Sequence, residues 1–129
     1  MSPNVSVQKS YGEKGFKGEN VNIGIVDAGV SKELFGSMLI GGSNADWGTV
    51  ILEGGHGNMC ATDSTGIAPN ASLFDLRIFN SPTSITSSSI QAFDWALINL
   101  IGTPTVLSNS WSITDANSQS AININHPLN

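Results

Sequence analysis

The stretch Asn20–Val30, NVNIGIVDAGV, decides the fold of this chain. Its apolar segment Val21–Val26 is short and rich in β-branched residues, a pattern typical of a strand buried on both faces of a parallel sheet. The pattern breaks at Asp27-Ala28-Gly29, which leaves a carboxylate at the carboxyl end of the strand. Because binding sites in open α/β sheets lie just beyond the carboxyl ends of the strands, Asp27 is the first candidate site residue.

Strand and helix patterns alternate along the rest of the chain. The predicted elements are a strand at Ser37–Ile40 that runs into a Gly41-Gly42 turn, a helix at His56–Thr65 ended by Gly66, a strand at Ser72–Phe79, a helix at Ser89–Leu100 and a strand at Thr105–Asn109. Such alternation builds βαβ units, so we expect an α/β fold with a mainly parallel sheet and helices on its faces. The sequence contains no internal repeat and no linker, which favours a single domain.

The helix predicted at Ser89–Leu100 carries two local signals. Ser88 and Gln91 have the spacing of a capping box, which places the start of the helix there. Its large apolar residues share one helical face, as in an amphipathic helix: Ile90, Phe93, Leu97 and Leu100.

Composition argues against several classes of function. The 129 residues carry a net charge of −5, and the five basic residues are scattered, which argues against nucleic-acid binding. The apolar runs are too short to span a membrane, and the polar N-terminus lacks the apolar core of an export signal, so the cellular location stays open. Only 12% of the residues are charged, about half the usual share, which indicates that another chain covers part of the surface.

A second candidate site residue is His56, which follows Asp27 by 29 residues and precedes Gly57. An Asp followed by a His is the chain order of two members of a Ser-His-Asp triad in one class of serine protease. In such a triad the His takes a proton from the nucleophile, while the carboxylate fixes the tautomer of the imidazole and stabilises the imidazolium. Taken alone, Asp27 could also cap a helix or bind a metal or a phosphate, and His56 could be an ordinary loop or cap residue.

Both residues belong to a series of short motifs. In chain order these are Asp27-Ala28-Gly29, His56-Gly57-Asn58-Met59-Cys60-Ala61, Gly66-Ile67-Ala68-Pro69, Phe93-Asp94-Trp95-Ala96 and Ser108-Asn109-Ser110-Trp111-Ser112. Through them the chain resembles the N-terminal part of the catalytic domain of the subtilisin-like serine proteases, the subtilases, over about residues 16–128. The chain departs from the family pattern at Ala28 and Asn58, where subtilases usually carry hydroxyl side chains.

The resemblance implies a three-layer, subtilisin-like sheet that is truncated after about its fourth strand, with residues 1–129 forming the N-terminal part of a peptidase domain. It implies that Asp27 and His56 are catalytic. It also implies that Ser110, Trp111 and Ser112 flank an extended peptide substrate and pair with its backbone. A core or covering residue is the alternative for Trp111, and Ser112 replaces a glycine that is usual in the family.

The other half of the subtilase machinery does not occur in this sequence. The chain has neither the Ala-Ala-Gly-Asn stretch of the oxyanion Asn nor the Gly-Thr-Ser-Met-Ala stretch of the nucleophilic Ser. A base and its carboxylate have no acyl-transfer route without these groups, so we expect the chain alone to be inactive. We expect it to associate with a complementing C-terminal half, or with copies of itself, through an exposed sheet edge. Two alternatives remain open: a non-catalytic, self-assembling filament or oligomer subunit, and a peptide-binding module.

No metal or cofactor is expected from the sequence. The acidic side chains of Asp46, Asp63 and Asp75 are spread along the chain and are interpreted as solvated surface groups. Cys60 is the single cysteine, which excludes an internal disulfide and a metal site built on cysteines. We expect its side chain to pack inward as a small apolar residue.

Overall fold

The computed structural model describes residues 13–49, 55–79 and 85–112. The helices are α1 (Lys32–Phe35), which continues into a 3-10 turn at Gly36–Met38, α2 (His56–Ile67) and α3 (Ile85–Asn99). The strands are β1 (Asn22–Asp27), β2 (Leu39–Ser43), β3 (Ser72–Arg77) and β4 (Thr105–Asn109). In these ranges no helix is long and apolar enough to cross a membrane.

The four strands form one parallel sheet in the order β2-β3-β1-β4. β1 lies between β3 and β4, with Asp27 opposite Arg77 and Val26 opposite Asn109. The predicted α/β fold with a mainly parallel sheet is therefore confirmed. Since β1 and β4 are neighbours, the carboxyl ends of these two strands lie side by side.

Two apolar cores lie on opposite faces of the sheet, which gives the fold three layers. On the side of α2 the core consists of Ile23, Ile25, Val30, Leu39, Ala61, Ala71 and Leu73. On the side of α3 it consists of Val26, Leu76, Ile78, Ala92, Ala96 and Leu100. Successive residues of β1 supply both cores, as the alternation of side chains along a strand requires. Burial of both faces explains the continuous apolar sequence of β1, and each fully buried side chain contributes about 1.5–3 kcal/mol.

The second strand differs from the prediction of a strand at Ser37–Ile40. Residues up to Met38 are helical, and Ser31 caps α1 by accepting a hydrogen bond from the backbone N–H of Leu34. The two glycines expected to form a turn, Gly41 and Gly42, lie inside β2 instead. A Cβ at Gly42 would overlap the backbone of β3, so the glycine serves close strand packing there and not a turn.

The predicted start of α3 is wrong, and most of its shared apolar face points away from the sheet. The helix begins at Ile85, and Ser88, expected to be its cap, is buried inside it. The face against the sheet is made mostly of small residues: Ser88, Ser89, Ala92 and Ala96. Of the expected apolar face, Leu100 is buried, while the others are exposed: Ile90, Phe93 and Leu97. Small residues allow a helix to lie close to the sheet. This close packing, and not the pattern of large apolar residues, determines which face of α3 is buried.

Candidate active site

The carboxylate of Asp27 and the imidazole of His56 are in direct contact at the carboxyl end of β1. The Nδ1 atom of His56 lies 2.8 Å from Oδ2 of Asp27 and 3.0 Å from Oδ1. The Asp27 side chain is only 2% exposed, whereas 47% of the His56 side chain is exposed. The Nδ1 edge of the ring therefore faces a buried hydrogen-bond acceptor, and the Nε2 edge is the accessible one.

Close packing between two glycines brings the helix to the strand. His56 is the first residue of α2, and the next residue, Gly57, lies against Gly29 in the loop after β1. A Cβ at Gly57 would overlap the carbonyl oxygen of Gly29, so this approach requires glycine. Gly29 itself has a φ of 129°, a backbone conformation that L side chains rarely adopt. The two glycines of the sequence motifs therefore position the pair.

Two hydrogen bonds support the same region at positions where the chain departs from the subtilase pattern. The backbone N–H of Ala28 donates to Oδ1 of Asp27 over 2.7 Å and orients the carboxylate. The side-chain oxygen of Asn58 accepts from the backbone N–H of Ser31 over 2.8 Å, which ties the start of α2 to the loop after β1. At these two positions the backbone N–H of Ala28 therefore orients Asp27, and the side chain of Asn58 instead fixes the loop at Ser31.

The thiol of Cys60 lies beside the Asp27–His56 pair. Its Sγ atom is 3.9 Å from Oδ2 of Asp27 and 3.9 Å from Nδ1 of His56. Desolvation raises the pKa of the Cys60 thiol, a hydrogen bond with the Ser110 side chain opposes this shift, and the charge of Asp27 adds to it. Cys60 also packs against the core on the α2 side, as expected, but its sulfur faces the polar pair.

The predicted substrate-binding residues follow β4, whose end adjoins that of β1. Ser110 is exposed, and its side chain acts to lower the pKa of the Cys60 thiol. The structure therefore brings Ser110 to the edge of the site. Ser112 is also exposed and lies at the end of the described segment.

Trp111 is half-buried and covers the core on the α3 side. Its ring packs edge-on against that of Phe79, with centroids 6.4 Å apart, and its indole N–H donates to the side-chain oxygen of Asn109 over 3.3 Å. This environment is that of a covering residue, one of the two roles considered for it. A contact of Trp111 with a peptide stays a prediction.

A buried ion pair lies on the sheet next to Asp27. Arg77 is opposite Asp27 in the register, and its Nη2 is 3.8 Å from Oδ2 of Asp75 and donates to Oγ1 of Thr49 over 3.0 Å. Burial raises the pKa of Asp75, and a hydrogen bond from the backbone N–H of Gly48 and the charge of Arg77 oppose the shift. The interpretation of Asp75 as a solvated surface group is therefore wrong, because β3 is covered at this point.

Comparison with known proteins gives a partial match. No model of a known protein family matches the chain. The chain is 33% identical over 98 residues to Subtilisin DY of Bacillus licheniformis, a match that covers 67% of this chain. It spans only 36% of the length of that curated relative. The match supports a distant relationship to the subtilases, and the parallel sheet with its helices agrees with a fold like that of subtilisin.

Sequence reasoning found the two residues in contact but missed part of their surroundings. The proximity of Cys60 to His56 could be predicted from the sequence, because residues four apart lie on one face of a helix. The contact between Asn58 and Ser31 had no such signal, because it joins a helix to a loop 27 residues away. The burial of Arg77 could not be predicted either, because it depends on how Gly48 and Thr49 lie against β3.

Proposed function

We propose that Asp27 and His56 are the orienting carboxylate and the general base of a subtilisin-like serine endopeptidase, and that this polypeptide is inactive until another segment supplies the nucleophilic Ser and the oxyanion Asn. The observation that carries the proposal is the 2.8 Å contact between Nδ1 of His56 and the buried carboxylate of Asp27. The distant match to Subtilisin DY supports it.

The geometry suits proton transfer at the accessible edge of the imidazole. With a proton on Nδ1 donated to Asp27, the lone pair on Nε2 is free to take the proton of a serine hydroxyl as that oxygen attacks a peptide carbonyl. The carboxylate stabilises the imidazolium that forms, and the imidazolium then gives its proton to the leaving amine. A buried carboxylate held by the N–H of Ala28 is well placed to keep the imidazole in this tautomer.

Ser110 does not fit the role of the nucleophile. Its side chain interacts with the thiol of Cys60, whose Sγ lies 3.9 Å from Nδ1 of His56. A nucleophile has to approach the Nε2 side, within hydrogen-bonding reach of the base. We therefore assign Ser110, with Trp111 and Ser112, to the wall of a peptide-binding cleft, where the backbone would pair with an extended substrate.

The segment that completes the site would dock on the β4 edge of the sheet. Among the described strands β4 is an edge, and its residue Val106 is 60% exposed. An apolar groove of about 360 Å³ lies between α3 and β4, lined in part by Phe93, Leu97, Ile101 and Leu107. An unpaired edge flanked by apolar side chains favours pairing with a further strand.

Complementation tests the proposal. The chain is co-expressed with the part of Subtilisin DY that follows the matched segment, which provides a serine nucleophile, and the mixture is treated with a fluorophosphonate probe. We expect labelling of that serine only when both polypeptides are present, and loss of labelling with His56→Ala. Asp46→Asn, at an exposed acidic residue away from the pair, serves as the control and should label normally.

The opposite results favour the other functions. Stable association of the two polypeptides without labelling would contradict the catalytic proposal. Ordered polymers of the chain alone that are unchanged by His56→Ala would indicate a self-assembling structural subunit. Binding of extended peptides without cleavage, lost on Trp111→Ala, would indicate a peptide-binding module.

A further inference from the structure

We propose that Asp27, His56 and Cys60 form a binding site for a soft divalent cation, with zinc as the ion that fits best. These three residues offer one oxygen, one nitrogen and one sulfur atom that all lie within 4.8 Å of one another. The sequence predicted no metal site because its acidic residues are spread along the chain and it has a single cysteine. The cluster forms only when the end of β1 meets the first turn of α2.

The three ligand atoms lie close enough together to reach one ion. Oδ2 of Asp27 and Nδ1 of His56 are 2.8 Å apart, and Sγ of Cys60 is 3.9 Å from each. A point roughly 2.1 Å from all three atoms exists at the centre of this triangle, which is close to zinc–oxygen and zinc–nitrogen bond lengths and about 0.2 Å short of a zinc–sulfur bond. Two ligand atoms of a tetrahedral zinc site lie about 3.3 Å apart, so binding would open the 2.8 Å contact between Asp27 and His56 by about 0.5 Å and replace their hydrogen bond with bonds to the ion.

The ligands are held by the fold before any ion binds. His56 and Cys60 are four residues apart on α2, a spacing that places both side chains on one helical face. The N–H of Ala28 holds Oδ1 of Asp27, which leaves Oδ2 directed at the other two ligands. Such outer hydrogen bonds orient metal ligands and raise affinity.

The donor set selects the class of ion. A thiolate and an imidazole suit zinc and other soft or borderline cations, whereas calcium and magnesium prefer oxygen ligands. Three protein ligands leave a fourth position, and the 47% exposure of the His56 side chain makes that position reachable by water.

Metal binding and the proposed base role exclude each other, a consequence that rests on the proposed function. When zinc takes Nδ1 of His56, the imidazole proton resides on Nε2, and the thiol proton of Cys60 leaves to solvent. An imidazole with a proton on Nε2 cannot accept one from a serine. The site would therefore be inhibitory in a completed peptidase.

Titration of the full chain with zinc chloride in a calorimeter tests the site without any catalysis. We expect one ion per chain, and an affinity that falls by about tenfold or more in Cys60→Ala, His56→Ala and Asp27→Asn. Cobalt(II) should give a thiolate-to-metal absorption band that Cys60→Ala removes. Asp46→Asn and His126→Gln are the controls and should bind like the unchanged chain; circular dichroism confirms that each variant is folded.

Three results would overturn the site. Cys60→Ala with unchanged affinity would remove the sulfur ligand from the proposal. One ion per two chains would indicate a site between copies. Equal binding of calcium would indicate an ordinary acidic surface. Because zinc binding is measured on the isolated chain, failure of the site leaves the complementation experiment unaffected, and failure of complementation leaves the zinc titration valid.

Discussion

At the scale of single residues, the geometry of the site depends on groups that take no part in chemistry. Gly57 and Gly29 allow the first turn of α2 to touch the loop after β1, and Ala28 contributes only its backbone N–H. These contacts bring the imidazole of His56 to a carboxylate that β1 has already buried. Substitutions that disturb the approach of α2 should therefore change both stability and the site.

Replacing Gly57 by Ala tests this dependence. We expect a loss of about 1–3 kcal/mol in the free energy of unfolding, because the added methyl group overlaps the carbonyl oxygen of Gly29 and the backbone has to move. Urea denaturation measures the loss. The matched control is Gly41→Ala, where the added Cβ meets Phe74 at an ordinary 3.5 Å and the change should stay within about 0.5–1 kcal/mol. Equal effects of the two substitutions would contradict the role given to Gly57.

Asp75 makes stability depend on pH in a predictable direction. Burial raises its pKa in the folded state above the ordinary value of an Asp side chain, so the folded protein holds the proton more tightly than the unfolded chain. The stability that this proton contributes is complete below the unfolded pKa and is lost as the pH rises through the folded pKa. The variant Asp75→Asn has no carboxyl group at this position, so it lacks this contribution to the pH dependence of stability.

We therefore expect the free energy of unfolding of the unchanged chain, minus that of Asp75→Asn, to fall as the pH rises from about 4 to 7. Urea denaturation at a series of pH values measures the difference, and Asp46→Asn provides an exposed acidic control. A difference that rises with pH would mean that Arg77 dominates the environment of Asp75 and that burial does not.

At the scale of elements, the sequence predicted what depends on local pattern and missed what depends on packing partners. β1 could be predicted because a strand buried on both faces is a continuous apolar run. β3 and β4 could be predicted because each is a short segment that follows a proline-containing turn, at Pro69 and Pro104. The start of α2 at His56 could be predicted because the glycine-rich stretch of the sequence ends at Gly55. The contact of Asp27 with His56 followed only from the resemblance, since composition and periodicity contain no information on which strand end meets which helix.

The large apolar residues of α3 lie mostly on its exposed side for a physical reason. An amphipathic pattern predicts that the large apolar residues pack inward, but a helix on a parallel sheet can pack more closely through alanine and serine. The exposed apolar face that results includes Phe93 and Leu97. It is the surface that the proposed completing segment would cover.

Substitution of Ala92 by Leu tests this orientation of α3. Ala92 is 1% exposed and contacts the core on the α3 side, so we expect the larger side chain to destabilise the fold by about 1–3 kcal/mol. Gln91→Leu introduces the same side chain on the exposed face, where the change should remain within about 0.5 kcal/mol. Thermal or urea denaturation compares the two variants. A tolerated Ala92→Leu together with a costly Gln91→Leu would reverse the assignment of the faces.

At the scale of the whole molecule, six of the eleven exposed large apolar side chains among the described residues lie on α3, on β4 or in the turn between them. β4 lies at an edge, with Val106 exposed on one face of the strand and the groove of Leu97 and Ile101 on the other. The low share of charged residues is consistent with a surface that another polypeptide covers. The opposite edge, β2, carries one comparably exposed apolar residue, Ile40.

We expect the chain to self-associate at tens of micromolar when no completing segment is present, and the contact to form through β4. Val106→Lys places a charge on that edge and should shift the protein to monomer, because lysine on an edge strand opposes pairing with a further strand. Ile40→Lys is the matched control: it makes the same substitution at a residue of similar exposure on the other edge, and it should leave association unchanged. Sedimentation velocity over a concentration series measures both variants. Dissociation by Ile40→Lys but not by Val106→Lys would move the contact to β2, and a monomeric unchanged chain at these concentrations would contradict association through the sheet edge altogether.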